Sequence, residues 1–152
     1  MANYLLDTNY FVYLTDSNAE PTKKEEVLKD FVQKLSDPNS RFMLTPLIRY
    51  EVLRGVKWED KSKLTELEEI LKQFKSLDIR DEIADLARDL YRFDSYEADL
   101  KGERKNLEKR KFDMFHYATA QLEELDVLSK DSDLPKIADL HQRMNTEKQN
   151  AI

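Results

Sequence analysis

Apolar residues along this chain fall into two patterns. Short, strongly apolar segments at Tyr4-Leu5-Leu6, Phe42-Met43-Leu44, Leu77-Asp78-Ile79 and Asp126-Val127-Leu128-Ser129 predict strands. Longer stretches repeat apolar residues every three or four positions, as one face of a helix does. Val27, Leu28, Phe31, Val32 and Leu35 mark such a helix within Lys23 to Leu35, and Leu64, Leu67, Leu71 and Phe74 mark another. Ile83, Leu86, Leu90 and Phe93 predict a long helix starting near Asp81; Phe112 to Leu125 is helical in pattern, and Asn9 to Leu14 continues the first strand into a helix.

Punctuation agrees with this division. Thr45 stands as N-cap before Pro46 at the first helical position, and Gly55 follows the end at Arg54. Asp37-Pro38-Asn39-Ser40 breaks the preceding helix. No repeat or Gly/Ser linker divides the chain, so a single domain over 1–152 is expected, with a polar tail, about 140–152, that is expected to be flexible. Short strands alternating with long helices predict an α/β fold of βαβ units around a mostly parallel sheet. Sites in such sheets form at the carboxyl ends of strands, where Asp7 and Asp131 both fall.

Composition narrows the chemistry. The 152 residues include no cysteine and only two histidines, His116 and His141, so thiolate sites and a three-histidine zinc site are excluded. Metal chemistry must use oxygen ligands, which suit Mg²⁺ or Mn²⁺. No signal peptide is read at the N-terminus and no apolar run approaches the roughly 20 residues of a membrane span, so a cytoplasmic protein without membrane contact is expected. The net charge of −6 argues against broad nonspecific binding of nucleic acid unless the acids are concentrated in one place.

With 31 acidic residues, position has to select the candidates. Asp7 follows two leucines at a strand end, where it is also placed to cap a helix. Glu51 shares the apolar stripe of Leu47, Ile48 and Val52, so its carboxylate points inward and should meet a metal, an arginine or another hydrogen-bonding partner. Asp113 stands in the first turn of an apolar helix, a position the helix dipole also favours. Asp131 and Asp133 lie in a polar turn after a strand. His116 reads as a packed helix histidine, His141 as a surface residue of the tail, and Tyr10, Phe11 and Tyr13 as core.

Taken in order, Leu-Leu-Asp-Thr-Asn from Leu5, Thr-Pro-x-x-x-x-Glu ending at Glu51, Asp-x-x-His-x-Ala-x-Ala from Asp113 and Leu-Ser-x-Asp-x-Asp from Leu128 resemble the PIN domains of VapC-type toxin ribonucleases, over Tyr4 to about Ile137. The resemblance implies a three-layer α/β/α fold and an acidic pocket for Mg²⁺ or Mn²⁺. It assigns Asp7, Glu51, Asp113 and Asp131 as the catalytic and metal-binding acids, Asp133 as a further acid, and Asn9 and Ser129 as polar residues lining the pocket. The chain departs from the pattern at Leu134-Pro135, where relatives carry Phe, and at the bulky Met114, Phe115 and Tyr117.

The implied activity is endoribonucleolytic cleavage of a structured RNA, a tRNA such as the initiator tRNA being expected, by a metal-activated water. Arg104, Lys105, Lys109, Arg110 and Lys111 precede Asp113 and are candidates to contact the RNA, and Arg49, Arg54 and Lys57 form a second basic track. A homodimer and a VapB-type antitoxin are the partners implied, with the apolar faces of Lys23 to Leu35 and Leu64 to Phe74 as candidate contact surfaces. The alternative is a non-catalytic PIN scaffold binding protein or RNA. A haloacid-dehalogenase-like phosphatase would need Asp where Asn9 stands, and a receiver domain would need an acid pair after its first strand and a lysine after its last, neither of which is clearly placed.

Overall fold

The computed structural model describes residues 2–103, 106–130 and 133–151. They form two compact units, Met1–Asp78 with Glu124–Lys130, and Ile79–Glu123 with Asp131–Ile152.

The first unit holds the sheet, built from β1 (Asn3–Leu6), β2 (Arg41–Leu44), β3 (Lys75–Ser76) and β4 (Asp126–Leu128). All pairings are parallel in the order β3-β2-β1-β4, with Leu5 opposite Met43 on one side and Val127 on the other. Leu5 and Leu6 are wholly buried in this central strand. Each contributes about 1.5–3 kcal/mol by leaving water, which is why so short an apolar run suffices to fix a strand. Helices α1 (Thr8–Thr15) and α2 (Pro21–Leu35) connect β1 to β2, and α3 (Pro46–Arg54) and α4 (Lys61–Leu71) connect β2 to β3. Aromatic contacts link these elements: Phe42 of β2 lies 5.4 Å from Tyr4 of β1 and 4.8 Å from Phe31 of α2, and Phe11 of α1 meets Phe74, just before β3, edge-on at 5.8 Å.

The second unit contains α5 (Asp81–Lys101), a 3₁₀ turn (Leu107–Arg110), α6 (Lys111–Glu123) and α7 (Asp133–Asn150). Ile83, Ala87, Leu90, Asp94 and Ala98 form the buried stripe of α5, and Leu134, Ile137, Leu140 and Met144 that of α7. Gly102 ends α5 with φ 65°, in the left-handed region that favours glycine.

The parallel sheet and the α/β class are as expected, and two details differ. The third strand is Lys75–Ser76 rather than Leu77–Ile79; only the Leu77 N–H, 2.8 Å from the Leu44 carbonyl, extends its pairing. An edge strand with exposed residues carries no apolar signature. Gly55 follows the end of α3 at Arg54 as expected, with φ −76°. Helix α7 occupies sequence read as turn and polar tail. Its single apolar face is diluted by charged residues on the others, yet the 134, 137, 140, 144 spacing is helical.

Candidate functional site

Asp7 sits where β1 hands over to α1. Its backbone is extended (φ −69°, ψ 155°), its N–H donates to the Leu128 carbonyl at 3.0 Å, and its carbonyl accepts from the Phe11 N–H. The side chain caps α1 by accepting the Thr8 N–H on Oδ1 at 2.9 Å. Capping was one reading of this residue, and it holds; it occupies one of two carboxylate oxygens. The other, Oδ2, accepts the Ser129 hydroxyl at 2.8 Å. Asn9 completes the arrangement, its Oδ1 accepting from the Lys130 N–H at 3.0 Å and lying 3.3 Å from Ser129 Oγ. Because β1 and β4 are parallel neighbours, their carboxyl ends are side by side. Residues 122 apart in sequence therefore share hydrogen bonds.

Asp7 is 2% exposed. Burying a carboxylate is costly unless it is hydrogen-bonded and electrostatically matched. The donor set gathered here, from Asp7, Asn9 and Ser129, is oxygen only. That chemistry fits Mg²⁺ or Mn²⁺, not a thiophilic or imidazole-preferring ion.

Glu51 belongs to the same unit, on α3 after the Thr45 cap, whose Oγ1 accepts the Ile48 N–H at 3.2 Å. Its side chain is 12% exposed, as its place on the apolar stripe predicts, and Arg54 lies 4.0 Å away on the next turn. The ion-pair reading of Glu51 thus has a partner, at the outer limit of contact, beside an arginine that also covers the Tyr50 ring at 5.5 Å.

In the second unit, Asp113 is half-buried in the first turn of α6, and Asp133 lies in the first turn of α7 with Lys136 Nζ 3.7 Å away. His116 is fully buried, as a packed helix histidine should be. His141 is not the surface residue expected: Nδ1 lies 2.7 Å from the Tyr117 hydroxyl, the rings meet edge-on, and burial lowers its pKa below 6.5. Its helix, α7, is what carries it inward. Asp131, Arg104 and Lys105 lie outside the described residues, as does the side chain of Lys109.

Four of the described basic candidates have intramolecular partners: Arg49 lies 3.6 Å from Glu68, Arg54 faces Glu51, and two more precede Asp113. Lys111 Nζ donates to Glu108 at 2.7 Å, and Arg110 reaches Asp94 at 3.4 Å with only 12% of its side chain exposed. Asp94, 1% exposed, is a buried acid that motif reading passed over. The signal was available, since Asp94 continues the α5 stripe one turn after Leu90, the same logic that selects Glu51.

The site and fold define a class. The family model for the PIN domain matches residues 4–140, and this chain belongs to the PIN-domain family. Among solved structures it is similar in fold to VapBC-1 from nontypeable Haemophilus influenzae, with 15% identity, a TM-score of 0.61, and coverage of 90% of this chain and 92% of that one. It is likewise similar to VapBC2 from Rickettsia felis bound to a DNA fragment from their promoter, with 19% identity, a TM-score of 0.58, and coverage of 85% and 87%. No curated protein matches the sequence.

Proposed function

We propose that this chain is a divalent-metal-dependent endoribonuclease, a toxin of the VapC type held in check by a VapB-type antitoxin. The observation that carries the reading is the buried Asp7 carboxylate, fixed by the Thr8 N–H and the Ser129 hydroxyl at the joined ends of two parallel strands. Asp7 and Asp113 are proposed as ligands of Mg²⁺ or Mn²⁺, with Glu51, Asp131 and Asp133 as the remaining acids of the site. The bound ion supplies Lewis acidity toward water and the phosphodiester.

The residues themselves do positioning work. Ser129 and the α1 N-terminus hold both Asp7 oxygens in one orientation, which fixes the direction the carboxylate presents. Asn9 locks the chain after β4 by accepting from the Lys130 N–H. Cleavage is expected in a structured RNA, with tRNA, the initiator tRNA first, as the substrate to try. The antitoxin assignment follows the similar VapBC complexes and the exposed apolar stripe of α2, where Leu28, Val32 and Leu35 are 39%, 62% and 51% exposed. Such a stripe suits a helix or a second copy of the chain.

The test is cleavage of total cellular RNA by the purified chain, with the new ends mapped. Cleavage that requires Mg²⁺ or Mn²⁺, stops with EDTA, and falls at least about a hundredfold in Asp7→Asn and Asp113→Asn at unchanged circular dichroism supports the reading. Undiminished cleavage by those variants, or none by the wild type, overturns it.

A further inference from the structure

A separate surface of the first unit lies beyond the C-terminal end of α3, the helix that carries Glu51. There the loop to α4 presents Trp58 with 92% of its surface exposed. The indole borders an open cleft of about 590 Å³ whose floor includes Leu53, Val56 and Leu64 and whose rim carries Arg54, Lys57 and Lys61. Asp60, the acid in that rim, is used as the α4 cap, accepting the Lys63 N–H at 3.2 Å. Among the described residues neither Lys57 nor Lys61 has an ion-pair partner. The Arg54 guanidinium covers the half-exposed Tyr50 ring next to the cleft.

The exposed indole is not isolated, since it adjoins Leu53, Val56 and the exposed Leu64 in one apolar patch, the kind of surface that marks a binding site. Its neighbours say what would cover it. Lysines without acidic partners, side by side in a chain of net charge −6, give this patch a local positive charge that suits a polyanion. A second copy of this chain would bring the same cations to an isologous contact. A flat aromatic face flanked by point charges is instead the pairing that single-stranded nucleic acid meets, one base stacked and the adjacent phosphates neutralised.

We propose that Trp58, Lys57 and Lys61 form a stacking subsite for an unpaired nucleotide of RNA, outside the carboxylate pocket. This rests on the nuclease reading for its biological use, but its physical content is binding alone. Trp58 stacks one base, and the lysine ammonium groups contact the phosphates on either side. Arg54, which lines the same cleft, ends α3, the helix that bears Glu51.

Trp58 is the chain's one tryptophan, so its emission reports on this surface without labelling. Short single-stranded oligoadenylate is titrated into Asp7→Asn, which removes cleavage on the nuclease reading. Saturable quenching is expected, relieved by salt. Lys57→Gln with Lys61→Gln should weaken binding about tenfold and reduce the slope of log K against log salt by roughly 1.4, as for two phosphate contacts on a single strand. Inorganic tripolyphosphate should not quench, since it has no base to stack. In the wild type, Trp58→Ala should raise KM about tenfold at unchanged kcat.

Unchanged emission on oligoadenylate binding, equal quenching by tripolyphosphate, or a blue shift that follows protein concentration alone overturns the subsite; the last would mark a contact between copies or another protein face. If the wild type cleaves RNA and Trp58→Ala matches it in KM, only this inference fails. If oligoadenylate quenches but no RNA is cleaved, only the nuclease reading fails.

Discussion

At the scale of single residues, a side chain's worth here is set by what it holds. Ser129 is small and sits in a sequence that reads as an ordinary turn, yet its hydroxyl fixes Oδ2 of a buried carboxylate. Ser129→Ala is expected to cost about 1 kcal/mol of stability in urea unfolding. RNA cleavage should fall by about ten- to a hundredfold, the usual effect of losing a partner that orients a ligand. His141 makes the opposite point, that a histidine can be placed for packing. Its pKa is depressed in the folded chain, first by burial and then by Lys148, so the unfolded state takes up the proton more readily. Stability is therefore unaffected by this ring above about pH 6.5 and declines as pH falls from there toward its lowered folded pKa. Thermal unfolding measured from pH 7.5 to 5 should show a smaller decline in His141→Gln than in wild type.

At the scale of elements, the two glycines separate two jobs that look alike in sequence, because both follow a helix. Gly102 has φ 65° and ends α5 in the left-handed region, whereas Gly55 has φ −76° and an added Cβ would only touch the Val52 carbonyl at 3.5 Å. Gly102→Ala should destabilise by about 1 kcal/mol, and Gly55→Ala should be neutral or stabilise by about 0.5 kcal/mol. Chemical denaturation of the two variants side by side checks both signs. Elements were legible where burial gave them a one-sided pattern: the central strand and the long helices announce themselves through Leu5, Leu6, Ile83 and Leu90. Strand β3 did not, since an edge strand of two exposed residues is made by backbone hydrogen bonds to β2 and needs no apolar side chain. Helix α7 was hidden by composition, its four buried residues spread among charged ones.

At the scale of the whole molecule, the acidic net charge and the proposed metal site belong together. An ion that binds the folded chain alone stabilises it, by about 2.7 kcal/mol at a hundred times its dissociation constant. For a chain of 152 residues that corresponds to a rise in Tm of roughly 5–10 °C. Mg²⁺ or Mn²⁺ should produce such a rise in wild type and much less in Asp7→Asn, a calorimetric measurement independent of any RNA. The motif order identified the family from the sequence alone, and the family model covers residues 4–140. The sequence did not reveal which hydrogen bonds hold Asp7, because capping by Thr8 is local whereas the Ser129 bond depends on β1 and β4 becoming parallel neighbours. Nor do the motifs point to Asp94, whose partner Arg110 reads in the sequence as a residue available to RNA.

That parallel pairing also sets a clock on synthesis. Asp7 and Ser129 are separated by 122 residues, so at about 5–20 residues per second a ribosome needs roughly 6–24 s after making the carboxylate to make its hydroxyl partner. Throughout that interval β1 lacks one of its two neighbours, and Asp7 has no Ser129 to orient it. The nascent chain is thus born without a finished pocket, and whatever is to meet the completed one has several seconds to arrive.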